Sequence, residues 1–157
     1  MRTLSVDAET FSSVDLPSCG LHKYMESEDF EILLIGYSFD GGPVHVHDCT
    51  VPGNWPQDFL NALTDSGVLK TAWNAAFERR AFSTALSKEM PPEQWSDTMV
   101  LALECGLPGS LAAAGAALGL PEEKLKDPVG KGRLAVVDMG DNAEIADLVL
   151  LIGHFIT

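Results

Sequence analysis

The sequence predicts an α/β protein with a mixed sheet and flanking helices. Three observations lead there. The chain opens on an alternating strand, it continues through two strands joined at Asp40-Gly41-Gly42, and it then alternates helical segments with one more apolar strand. A length of 157 residues, 46% of them hydrophobic, is enough for a core of useful size and argues against disorder. There are no internal repeats.

The first strand spans 3–9, where Leu4, Val6 and Ala8 alternate with Ser5, Asp7 and Glu9. Side chains two apart share a face, so Asp7 and Glu9 project together with Cα atoms about 7 Å apart. That spacing lets two carboxylates bracket divalent metals, and like charges so placed raise one another's pKa unless a cation intervenes. A solvated acidic face on an edge strand explains the pair equally well. Residues 11–29, with Pro17 and Gly20, read as a long irregular connection of the kind that is functional or mobile. Strands at 30–39 and 44–48 follow, with the Asp-Gly-Gly turn making them a hairpin. His45 and His47, followed by Asp48, place two imidazoles on one strand face, which could bind metal, but no neighbour completes a ligand set.

A helix is expected at 56–64 and a buried strand at 68–73, which runs directly into a helix at 75–87. Asn74 is positioned as the N-cap of that helix, with Glu78 four residues on, sharing its side of the first turn. A carboxylate there is favoured by the helix dipole. An ordinary capped helix accounts for the same residues. Arg79 and Arg80 suit either phosphate contacts or an exposed helix face. A helix at 97–105 has Asp97 as its cap, and a small-residue helix at 110–118 is capped by Ser110, which suggests close packing rather than chemistry. Residues 119–132, with Pro121 and Pro128, form a second irregular connection, and 142–152 suits a helix capped by Asp141.

Read together, Asp7-x-Glu9 on the first strand and Asn74-x-x-Phe77-Glu78 at a strand-to-helix junction resemble the first two motifs of the DEDD-type 3′–5′ exonucleases. The resemblance is to the proofreading domains of family A DNA polymerases, in particular those of bacteriophages. The stretch from Asp7 through Thr10 and Phe11 to Leu16 resembles the opening of those enzymes. So do Cys19-Gly20-Leu21-His22-Lys23-Tyr24, Phe30-Glu31-Ile32-Leu33-Leu34, Pro92-Glu93-Gln94-Trp95-Ser96-Asp97-Thr98-Met99 and Leu118-Gly119-Leu120, in the same order. Most members of the wider superfamily carry Asp at the position of Glu78, a change that keeps the charge and lengthens the reach. The resemblance runs from residue 3 to about 131 and divides the chain into an exonuclease-like domain, 1–131, and a diverging segment, 132–157.

The family's third motif, Tyr-x-x-x-Asp or His-x-x-x-x-Asp, does not occur after Lys131. Asp138, Asp141 and Asp147 are the aspartates there, and none follows Tyr or His at the required spacing. Asp147 is the candidate substitute ligand. The missing motif suggests a truncated or rearranged proofreading module, and 157 residues cannot hold a polymerase portion.

The resemblance implies an RNase H-like sheet with the first strand central, and two-metal hydrolysis of the terminal phosphodiester at a single-stranded DNA 3′ end. Asp7, Glu9 and Glu78 would hold Mg²⁺ or Mn²⁺, with two ions about 4 Å apart. One ion would lower the pKa of an attacking water that Glu9 could orient. Thr10, Phe11, Asn74 and Phe77 would contact substrate. A stand-alone exoribonuclease of the same superfamily and a non-catalytic binding module are the alternatives.

The net charge of −13 lacks the basic footprint of a nucleic-acid binder, although bound divalent cations would offset part of it. Three cysteines, Cys19, Cys49 and Cys105, show no metal-ligand spacing and suit a reduced cytoplasm. No apolar run is long enough to span a membrane, and no signal peptide is expected.

Overall fold

The computed structural model of the protein describes residues 2–119. Within them lie β1 (Arg2–Phe11), α1 (Leu16–Met25), β2 (Glu31–Phe39), β3 (His45–Asp48), α2 (Gln57–Thr64), β4 (Val68–Ala72), α3 (Ala76–Leu86), β5 (Trp95–Asp97), α4 (Thr98–Glu104) and α5 (Leu111–Ala117). The strands form one mixed sheet in the order β3-β2-β1-β4-β5. β2 runs antiparallel to β1 and to β3, whereas β4 is parallel to β1 and to β5. The fold is therefore α/β and RNase H-like, with the first strand central.

The alternation in β1 does what the sequence pattern requires. Leu4 and Val6 are buried, while Ser5, Asp7 and Glu9 are only half-buried. The core face of the sheet gathers Leu4, Val6, Ile35 and Tyr37 under Phe59 of α2 and Phe82 of α3. The rings of Phe59 and Phe82 meet edge to face at 5.6 Å between centroids, a favoured aromatic geometry. A smaller cluster packs Ala114 of α5 with Trp73, Leu107, Leu111 and Leu118. Lys70 lies on β4 with no exposure, and its ammonium donates to the carbonyl of Asp65 at 2.6 Å and to Oε1 of Gln94 at 2.9 Å. Those acceptors compensate a charge that is costly to bury.

The turn between β2 and β3 carries positive φ at Asp40 (53°) and Gly41 (69°), and the Gly42 N–H closes it on the Phe39 carbonyl at 2.8 Å. This is the primed turn that Asp-Gly favours in hairpins. The pairing of β1 with β2 shifts register after Glu9: Glu9 faces Leu34 and Thr10 faces Ile32, leaving Leu33 as the extra residue. A bulge bends the strand and re-aims side chains, and this one lies directly beside the acidic pair.

Two sequence expectations are corrected. Residues 11–29 are not mostly irregular, because α1 occupies Leu16–Met25. Pro17 sits in its first turn, where a missing N–H costs nothing, and Gly20 (φ 76°, ψ 166°) kinks the helix rather than ending it. The helix face carrying Arg79 and Arg80 is only partly exposed, and both side chains meet protein groups. Arg79 donates to the Met90 carbonyl at 3.1 Å, and Arg80 faces Glu26 at 3.8 Å, with its Nε buried. The irregular connection expected at 119–132, the segment 132–157 and the helix expected at 142–152, with Asp138, Asp141 and Asp147, fall outside the described residues, apart from Gly119 itself.

Candidate active site

Asp7 and Glu9 stand on the central strand, opposite Gly36 and Leu34 of β2. Glu78 lies in the first turn of α3, four-hundredths exposed at 4%, and its Oε2 is buried with no hydrogen-bond partner. Burial pushes the Glu78 carboxyl well above the usual carboxylate range. The negative charge of Asp7 adds to this, followed by smaller contributions from Asp97 and Glu9, against a lowering by a backbone hydrogen bond. The charges of Asp7, Asp97 and Glu9 thus all reach Glu78. Among the described residues, no three His, Cys, Asp or Glu side chains are gathered closely enough to enclose an ion by themselves.

The strand-to-helix junction differs from the expected one. Asn74 is not the N-cap of α3; Ala75 holds that position, without a side-chain cap. Asn74 instead turns the chain out of β4 in the left-handed region (φ 61°), which Asn tolerates better than most residues. Its carbonyl accepts from the Phe77 N–H at 2.9 Å, and its own N–H donates to Asp97 Oδ1 at 3.0 Å. Asn74 and Glu78 therefore do not share a helix side, since Asn74 lies outside the helix. Asp97 caps α4 as expected, accepting from the Met99 N–H at 3.0 Å with the same oxygen.

Thr10 and Phe77 are linked through Tyr24 of α1. The Thr10 hydroxyl and the Tyr24 hydroxyl are 3.0 Å apart, and the Tyr24 ring centroid lies 6.4 Å from that of Phe77 and 5.9 Å from that of Phe30. Phe11 ends β1 with 37% exposure, large for an aromatic, and Asn74 is exposed. Tyr24 is the contributor that sequence reasoning leaves without a role, whereas Asp97 reads from the sequence as a helix cap first and a neighbour of the site second. Tyr24 lay in a stretch that matched the family pattern, but its partner on β1 becomes visible only when α1 packs beside α3. His45 stacks on Tyr37 at 5.3 Å, and His47 buries its Nε2 without a partner.

The chemistry of this donor set suits a divalent cation. Asp7, Glu9 and Glu78 are hard oxygen donors, and a buried carboxylate oxygen lacks a partner at Glu78. A cation there would satisfy that oxygen, offset the cost of burying the charge and relieve the added repulsion from Asp7.

The chain is 47% identical to a DNA polymerase of Bacillus phage SP02 over 131 residues, which cover 83% of this chain and 20% of the polymerase. The chain is thus similar to part of a phage DNA polymerase and spans about one fifth of the length of the protein it matches. A chain in the structure of the yeast NOT1 MIF4G domain co-crystallized with CAF1 matches with a TM-score of 0.52. The match covers 97% of this chain and 78% of that one at 12% identity, so the likeness concerns the fold alone. No protein-family model matches the sequence. Among the described residues, no helix is long and apolar enough to cross a membrane.

Proposed function

We propose that the chain is a metal-dependent 3′–5′ exonuclease domain of the phage DNA polymerase type, acting on the 3′ end of single-stranded DNA. The observation that carries the reading is the buried, unpartnered Oε2 of Glu78 within the field of Asp7 and Glu9. Asp7, Glu9 and Glu78 would hold Mg²⁺ or Mn²⁺. Bound there, the ions supply electrostatic stabilisation of the attacking and leaving oxygens and ease deprotonation of water at neutral pH.

The remaining work falls to the chain's own groups. Glu9 is more open to solvent than Glu78 and orients the attacking water. The Thr10–Tyr24 hydroxyl pair fixes the wall beside β1, so that Phe77 and the exposed ring of Phe11 offer apolar faces to the terminal bases. Stacking of this kind is tolerant of sequence, which suits an enzyme that must accept any terminal nucleotide. Asn74, exposed at the turn, is within the same junction and would meet the strand. Cations held by Asp7, Glu9 and Glu78 would offset part of the chain's negative charge where the phosphates approach.

The test is release of label from a 3′-labelled single-stranded oligonucleotide. Weak, metal-dependent release is expected, faster with Mn²⁺ than with Mg²⁺ because Mn²⁺ generally binds such ligands more tightly. It is expected to vanish in Asp7→Ala. Strong activity lost in Asp147→Ala would assign the missing ligand to that residue. Robust cleavage that survives both substitutions would overturn the two-metal reading, and faster turnover of a matched RNA would move the substrate to RNA.

A further inference from the structure

We infer that Asp97 is a positioning residue that sets Glu78 for cation binding by locking the β4–α3 turn to the start of α4. The inference rests on the reading of Asp7, Glu9 and Glu78 as the cation site. One carboxylate oxygen, Asp97 Oδ1, accepts from two backbone N–H groups that are 25 residues apart in sequence, those of Asn74 and Met99, each at 3.0 Å. The first sits at the left-handed turn four residues before Glu78, and the second in the first turn of α4.

The surrounding contacts make this a rigid joint. Asp97 pairs in register with Ala72, the last residue of β4, across a parallel ladder. The next residue, Thr98, is buried and donates its hydroxyl to the Ala72 carbonyl at 3.0 Å. The end of β4 is therefore held by two successive residues of the β5–α4 segment immediately before the chain turns. Asn74 adopts a φ of 61°, a left-handed conformation that Asn reaches but does not hold by itself against the extended and helical alternatives. The Asp97 acceptor supplies that restraint. Since α3 begins two residues after Asn74, a change at this turn moves the first turn of the helix and the Glu78 carboxylate with it. A helix-capping role alone would require the Met99 contact and leave the Asn74 contact without purpose.

The proposal separates geometry from charge. Asp97→Asn keeps an oxygen acceptor for both N–H groups and removes the charge, whereas Asp97→Ala removes the acceptor. Ser110→Ala removes the cap of α5, which lies in a different element, and controls for lost stability alone. The experiment is a Mn²⁺ titration of the full chain by the electron-spin resonance signal of free Mn²⁺. It is run below the melting temperature of every variant, with backbone amide exchange measured in parallel. Asp97→Ala is expected to weaken Mn²⁺ binding by about tenfold or more, the usual effect of removing a group that orients a metal ligand. It should also speed exchange at Asn74 and Met99. Asp97→Asn and Ser110→Ala should stay near wild type in Mn²⁺ binding. Wild-type affinity in Asp97→Ala, or equal losses in Asp97→Ala and Asp97→Asn, would overturn the positioning role. Glu78→Gln serves as the reference for the site itself: if it binds Mn²⁺ as wild type does, the cation-site reading fails and the inference falls with it.

Discussion

Glu78 combines near-complete burial, an unpartnered oxygen and the charges of Asp7, Asp97 and Glu9. Its folded-state pKa is raised above the ordinary value of 4.5, so the folded protein retains a proton that the unfolded chain has released. The stabilisation this gives is complete below the unfolded-state pKa and is lost as the pH rises through the folded-state pKa. The metal-free protein should accordingly melt at progressively lower temperature as the pH rises above the ordinary carboxylate range. Glu78→Gln should flatten that dependence and melt higher than wild type at the alkaline end. Parallel melting profiles for the two proteins would show that Glu78 does not titrate in the folded state as described. The residue pattern made much of this site legible. Asp7 and Glu9 are two apart on a strand, and Glu78 follows the junction of β4 with α3. Illegible was the conformation of Asn74, because a good capping residue type also tolerates the left-handed region, and only the Asp97 contact across the sheet decides between them.

Helix α1 connects the end of β1 to α3, since it carries Tyr24 to Thr10 and Phe77. Its path depends on Gly20, whose φ of 76° and ψ of 166° belong to a region that other residues avoid. A Cβ added there meets nothing within 4 Å, so the cost of Gly20→Ala is one of backbone conformation rather than collision. Denaturant unfolding should show Gly20→Ala destabilised by about 1–3 kcal/mol. Tyr24→Phe, which removes one hydroxyl from the pair with Thr10, should cost about 1 kcal/mol and preserve the ring contacts. An unchanged stability in Gly20→Ala would mean that α1 can straighten without penalty. The same helix shows where element reading from sequence fails. Pro17 and Gly20 are breakers in most contexts, yet a helix accepts proline in its first turn and can bend at glycine. Strand β5 has three residues, too few to display a period of two, and it is held by its parallel neighbour rather than by its own pattern. The Asp-Gly turn and the alternation of β1 were readable because a single local rule governs each.

The sheet places β1 between β2 and β4, so the acidic pair stands on the middle strand of the sheet rather than on an edge. Periodicity alone could not order the strands; the expectation of a central first strand came from the order of family-like motifs. Beneath that sheet, Phe82 touches Phe59, Trp55 and Trp95 and is fully buried. Phe82→Ala should therefore cost about 3–5 kcal/mol, measurable by denaturant unfolding. The net charge of −13 opposes compaction, and added salt should raise the melting temperature of the metal-free protein modestly through screening. Specific cation binding must exceed this general effect, since a ligand that binds the folded state alone stabilises it by mass action. The most direct test of the account is thus the thermal melt of wild type and Asp7→Asn with and without Mn²⁺, at matched ionic strength. The account predicts a clear Mn²⁺-dependent rise in wild type that is reduced or absent in Asp7→Asn. The same Mn²⁺ response in both proteins would contradict it.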